Sequence, residues 1–175
     1  IIFVENVVFS DLVDDWKVVC DLLGEPYIIC SEDANGYTKR NRAYWIVNAK
    51  LPENYSDLFT PKTNPNEVML EGRTLIPYKV NGRESIRPLG KSWRGDPINP
   101  IADTKKPIPV NDIAFDKPQH LKPEEAEGLM GMKIGCTNGE GFTALDRLSV
   151  IGNGWDIFVT SALMTMHVTI KSLRD

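Results

Sequence analysis

Apolar and polar positions divide the chain into three stretches of different rhythm. Residues 1–50 alternate short apolar runs with one helical stripe. Ile1–Val4 is unbroken apolar sequence, the pattern of a buried parallel strand. Ser10 is placed to cap a helix whose first turn carries Asp11, which suits the positive helix end. Leu12, Val13, Trp16, Val19, Cys20 and Leu23 recur at helical spacing, Gly24 ends the helix and Pro26 prevents its return. Tyr27–Cys30 and Arg42–Val47 read as two further strands, with an Asn35-Gly36 turn between them. This strand–helix–strand–turn–strand order predicts an α/β sheet protein.

Residues 51–119 lose that rhythm. Most of the prolines fall here, between short β-like pieces at Val68–Leu70 and Thr74–Val80, with an expected hairpin turn at Asn81-Gly82. Residues 120–175 turn helical. Pro123, Glu124 and Glu125 mark one helix start, with Ala126, Leu129 and Met130 on its apolar side. Thr143 caps a second helix expected through Leu148. Asp156 caps a last one, with Val159, Leu163, Met166 and Ile170 on one face. That stripe reads as core packing, and His167 within it as structural or solvated.

Composition changes the picture in one place. The 175-residue chain carries a net charge of −4, which argues against indiscriminate nucleic-acid binding. Yet Arg73, Lys79, Arg83, Arg87, Lys91, Arg94, Lys105 and Lys106 lie among only three acids, Glu84, Asp96 and Asp103. Such a segment is either a solvated insert or a lobe that faces nucleic acid, where lysines and arginines neutralise phosphates. Within it, Trp93 beside Arg94 serves either as a small core or as a base-reading element. The three cysteines, Cys20, Cys30 and Cys136, are widely spaced and give no disulfide or zinc pattern, as expected in a reducing compartment. No apolar run approaches the roughly 20 residues of a membrane span. The first residues lack the basic flank of a signal peptide, and a start without Met in mid-strand suggests a piece of something longer.

Glu5 at the end of an apolar strand is a weak signal by itself, although α/β sheets place their sites there. Four motifs in order strengthen it. Phe3-Val4-Glu5-Asn6-Val7 is followed by Arg40-Asn41-Arg42-Ala43-Tyr44-Trp45. Then come Leu121 through Met132, with Glu125 and Gly131 at the key places, and Val150-Ile151-Gly152-Asn153-Gly154-Trp155-Asp156. Together they resemble the C-terminal motifs of DNA cytosine-5 methyltransferases, and the tryptophans are closest in style to the de novo branch. Thr38 stands where that family carries Gln.

The resemblance implies part of an α/β, Rossmann-like, S-adenosylmethionine-dependent methyltransferase sheet. Residues 1–50 would be the later part of the catalytic lobe. Residues 51–119 would be a small β-rich target-recognition lobe, and 120–175 the helices that complete the catalytic lobe. It implies transfer of a methyl group from S-adenosylmethionine to C5 of a flipped cytosine in duplex DNA, in an intracellular setting: bacterial or phage-host cytoplasm, or a nucleus. Glu5 would protonate or hold cytosine N3, with Asn6 fixing the geometry. Arg40 and Arg42 are expected to point to opposite faces of their strand, so that only one reaches the cytosine O2. Motif position gives that role to Arg42 and leaves Arg40 to secure backbone or the carboxylate. Gly152, Asn153, Gly154 and Trp155 would contact the cofactor, with N–H groups before a helix suiting its carboxylate. Arg83, Arg87, Lys91 and Arg94 would contact DNA. No metal is implied.

The family's nucleophile is a Cys after Pro, and none of the three cysteines follows a proline. The glycine-rich cofactor motif is absent as well. The chain is therefore expected to be half of a split enzyme, the ordered part of a longer one, or a non-catalytic module that binds DNA or a partner methyltransferase. In the first two cases a second polypeptide or an N-terminal segment supplies the Cys.

Overall fold

The computed structural model describes residues 1–9, 12–80, 83–86 and 109–172. Strand β1 spans Ile2–Val7, helix α1 Val13–Leu23, β2 Tyr27–Cys30 and β3 Asn41–Val47. These strands form one sheet in the order β1-β3-β2. β3 is central because Ala43, Tyr44, Trp45 and Ile46 are all buried, and a strand covered on both faces needs apolar residues at successive positions. β1 and β2 each pair antiparallel with β3. Ile1–Val4 is therefore not a buried parallel strand: β1 is antiparallel to its neighbour, begins at Ile2, and leaves Ile1 and Ile2 more than half exposed.

Helix α1 ends where expected, at Gly24, whose φ of 83° is the left-handed region that favours glycine. Ser10 and Asp11 lie outside the described residues. Trp16, Val19, Cys20 and Leu23 are half-covered, while Leu12 and Val13 are exposed. The helix docks through Trp16, whose ring lies 5.8 Å from that of Trp45. Trp45 in turn donates from its indole nitrogen to the Gly24 carbonyl at 2.9 Å.

The middle of the chain holds three short strands, β4 (Arg73–Leu75), β5 (Tyr78–Val80) and β6 (Arg83–Ser85), followed by β7 (Pro109–Asp112) and β8 (Gln119–His120). β4, β7 and β8 make one sheet, and β5 and β6 make a pair with Val80 opposite Arg83. Asn81-Gly82 lies between them, outside the described residues. Two expectations fail here. Val68–Leu70 is not β-like, because Pro65–Val68 forms a 3₁₀ turn, with Pro at its start and the Asn64 side chain accepting from the Asn66 N–H. Thr74–Val80 is two strands, because Ile76 and Pro77 interrupt it.

Helix α2 spans Pro123–Leu129, α3 Ala144–Asn153 and α4 Ile157–Ser172. Thr143 caps α3 through its hydroxyl, which accepts from the Asp146 N–H, while the Asp146 carboxylate answers to Thr143. α3 runs on past Leu148 to Asn153, so Gly152 and Asn153 close that helix as well as precede α4.

Two cores result. Leu75, Ile86, Val110, Leu121, Ala126, Leu129, Met130, Leu148 and Ile151 form one with Tyr37. Val159, Leu163 and Met166 of α4 pack on Ile29, Tyr44 and Ile46 of the first sheet to form the other. The apolar face of α4 is as the pattern predicts at those three positions; the Ile170 and His167 side chains lie outside the described residues. Among the described residues no helix is long and apolar enough to cross a membrane, and no cluster suits a metal ion.

Candidate active site

Residues two apart on a strand share a face, and directly opposed residues of paired strands share one too. Glu5 pairs with Tyr44, and Val7 with Arg42. Glu5, Arg42, Tyr44 and Ile46 therefore line the face that α4 covers, with Glu5 and Arg42 diagonal neighbours. Arg40 leads into the same row. The expectation that Arg40 and Arg42 point to opposite faces is wrong, because one intervening residue returns a side chain to the same side. Glu5 is also not at the strand's end; β1 continues to Val7.

Arg42 Nε lies 3.0 Å from Glu5 Oε1, with the Glu5 side chain 8% exposed and that of Arg42 15%. The contact is an ion pair outside hydrogen-bond alignment, so Oε1 has no hydrogen-bond partner among the described residues. Arg40 is almost wholly buried. Its Nη1 donates to the Gly152 carbonyl at 2.8 Å and its Nη2 to the Gly154 carbonyl at 2.6 Å. That guanidinium bridges the strand edge and the α3–α4 turn. Asn6 projects from the other face, where its side chain accepts from the Val7 N–H at 2.8 Å and is exposed.

Burial pushes the Glu5 carboxyl above its ordinary value, against the opposing pull of Arg42 and Arg40. Burial, with Arg42 as a like charge beside it, lowers Arg40 to about 10. Burial also lowers Arg42 and raises Tyr44, the latter helped by the negative charges of Glu5 and Asp156. The site thus holds an acid that resists ionising next to two cations. Such an acid can offer a proton or a hydrogen bond to a base in which negative charge is growing.

The α3–α4 turn differs from its expected form. The N–H groups opening α4 at Phe158 and Val159 are taken by the Asp156 carboxylate at 3.0 and 3.3 Å. The Gly154 N–H donates to Ile151, and two carbonyls of the turn face Arg40. A cofactor carboxylate therefore finds no free helix N-terminus here. What the turn offers outward is the exposed side chains of Asn153 and Trp155.

Of the residues expected at DNA, Arg87, Lys91 and Arg94 lie outside the described residues, as does Trp93. Arg83 is placed only as backbone in β6. Arg73, counted with the same basic segment, does not face outward. It is buried, binding Glu125 through Nε at 2.6 Å, Asp112 through Nη1 at 2.5 Å and the His120 carbonyl at 2.7 Å. Arg147 likewise binds Glu124 and the buried Glu127.

The sequence reading missed three parts of the site. Tyr44 was findable, since it stands two residues after Arg42 and so shares its face. Ser31 donates to the Asp156 carboxylate across most of the chain, and no local pattern links them. Gly36 makes room for that bond: a Cβ there would lie 2.0 Å from Ser31 Oγ and 2.7 Å from Asp156 Oδ2.

The sequence matches no family model, and no curated protein is detectably similar to it. Solved structures are. S. pombe Dnmt2 methyltransferase superposes over 99% of this chain and 67% of its own, with a TM-score of 0.63 and 12% identity. The Entamoeba histolytica methyltransferase EhMeth superposes over 94% of this chain and 61% of its own, with a TM-score of 0.53 and 17% identity. At such identities the likeness is one of fold: a mixed α/β chain resembling methyltransferase structures, and spanning about two thirds of them.

Proposed function

We propose that this chain is the C-terminal part of a cytosine-5 methyltransferase acting on a flipped cytosine of duplex DNA. The observation that carries the reading is Glu5: a buried carboxyl whose Oε1 forms an ion pair with Arg42 on the same face but has no hydrogen-bond partner among the described residues. Cytosine C6 is a poor electrophile. When a thiolate adds there, the displaced electron pair moves toward N3 and O2. Glu5 gives N3 a proton or a hydrogen bond, and Arg42 meets the charge at O2. Arg40 holds the α3–α4 turn against the strand that carries Arg42. S-adenosylmethionine supplies the methyl group, with Asn153 and Trp155 as this chain's contacts to it. No cysteine after a proline and no glycine-rich cofactor loop is in this sequence, so in this reading a second polypeptide or further segment provides them.

Exposed apolar residues support such a partner. No residue of α1 is buried, and Val13, Val18 and Leu22 are largely exposed, as are Ile2 and Val7 of β1. Exposed apolar side chains along α1 are the kind of surface a partner covers. The same surface favours the second reading, a module that binds a methyltransferase without acting itself.

The test combines the chain with the N-terminal half of a cytosine-5 methyltransferase and follows labelled methyl transfer to duplex DNA, with an RNA duplex of the same sequence as a second arm. Transfer to DNA that falls about 100-fold or more in Glu5→Gln supports the reading. An unchanged rate in that variant removes Glu5 from the chemistry. Binding to the partner half with no transfer supports the module.

A further inference from the structure

The cluster around Glu5 holds two cations, Arg40 and Arg42, and two acids, Glu5 and Asp156. Arg42 has Glu5 within ion-pair distance. Arg40 bonds two carbonyls, and its Nε has no hydrogen-bond partner among the described residues. Its charge is felt by both Glu5 and Asp156. Asp156 is almost wholly buried, yet its carboxylate accepts from the Ser31 hydroxyl and from the Phe158 and Val159 N–H groups. Burial raises the Asp156 carboxyl above its ordinary value, and the three donors converging on it oppose that rise by stabilising the charged form. It stands two residues beyond a carbonyl that Arg40 grips.

We propose that Asp156 is a positioning residue for Glu5: its buried charge balances Arg40, so that the two arginines do not hold Glu5 as a fixed ion-pair carboxylate. This rests on the reading of Glu5 as the acid of the site. A capping residue alone would need only an acceptor at the α4 N-terminus, which Asn provides as well. The Ser31 bond and the tight packing of Gly36 over it aim the second oxygen away from the helix end, into the sheet side of the turn. Besides the two arginines, the ionisable group facing Glu5 is Tyr44, which is held neutral by burial and by both acids.

Asp156→Asn keeps the cap and the shape and removes the charge. The experiment follows the Glu5 carboxyl by NMR in ¹³C-glutamate-labelled full chain, assigned by its loss in Glu5→Gln. In Asp156→Asn the arginines act on Glu5 unopposed, so its titration midpoint should move to lower pH. Ser31→Ala removes a donor that keeps Asp156 charged, and should move Glu5 in the same direction by less. Asp146→Asn, at the exposed cap of α3, should lower the melting temperature and leave Glu5 unmoved. A Glu5 midpoint unchanged in both Asp156→Asn and Ser31→Ala overturns the proposal and leaves Asp156 as a helix cap. If Asp156→Asn does not fold, Ser31→Ala decides alone. The titration needs no substrate, so its failure is read separately from a failure of methyl transfer, which bears on the functional reading.

Discussion

Removing Arg73 should unfold much of what holds the second sheet. Its side chain is 4% exposed and that of Glu125 is fully buried. Nε and Nη2 grip the two oxygens of Glu125 at 2.6 and 3.0 Å, while the other donors reach Asp112 and the His120 carbonyl. Arg73→Met leaves the Glu125 charge uncompensated inside the protein and a carbonyl without its donor. Breaking a buried pair this way costs about 3–5 kcal/mol. Against a total stability of about 5–15 kcal/mol, that is a large fraction. Glu125→Gln should cost less, because Arg73 then keeps Asp112 at 2.5 Å and the His120 carbonyl. Urea unfolding followed by tryptophan fluorescence measures both. With a slope of about 2 kcal/mol per molar urea, the Arg73→Met midpoint should fall by about 2 M. A loss below about 1 kcal/mol, or a larger loss for Glu125→Gln than for Arg73→Met, would refute the reasoning. Arg73 would then be a solvated member of the basic segment, as its sequence context suggests.

Glu5 and Asp156 both have raised folded values, so their contributions to stability are complete below the unfolded value and lost as pH rises through the folded one. Glu5→Gln should therefore gain stability relative to the wild type as pH rises from about 4 to 8, seen as a growing difference in melting temperature. Asp112, Glu127 and Asp146 have lowered values, so their contributions are present above the unfolded value and lost as pH falls. Acid unfolding should then track these three. Gly36→Ala should destabilise by about 1–3 kcal/mol through overpacking, and Ser31→Gly in the same chain should recover part of it, because the clash is with Ser31 Oγ at 2.0 Å. Thr143→Ala should cost about 1 kcal/mol by removing the cap of α3, with no change at Glu5.

Local rhythm by itself determined a good deal. It placed the Tyr27–Cys30 strand, the central strand through Val47, the helix stop at Gly24, the Thr143 and Asp156 caps and the inward Val159, Leu163 and Met166 of the last helix. Each of these depends on residues within one or two turns or a strand's own alternation, so the pattern records it directly. The motifs around Glu5, Arg42 and Gly152 were legible in the same way, as short runs. Tertiary structure decided what those runs do to one another. Glu5 meets Arg42 only because β1 pairs with β3 in a register that sets Val7 opposite Arg42. Register is a property of two strands and is written in neither. Ser31 and Asp156 meet through the docking of α4 on the sheet, and Gly36 is small because of that meeting. Arg73 counts as basic in any window of sequence, yet Glu125 and Asp112 fold around it and remove its charge from the surface. Periodicity states which face a residue takes. Which charge waits on that face depends on chain segments far away, where the desolvation of each group is settled.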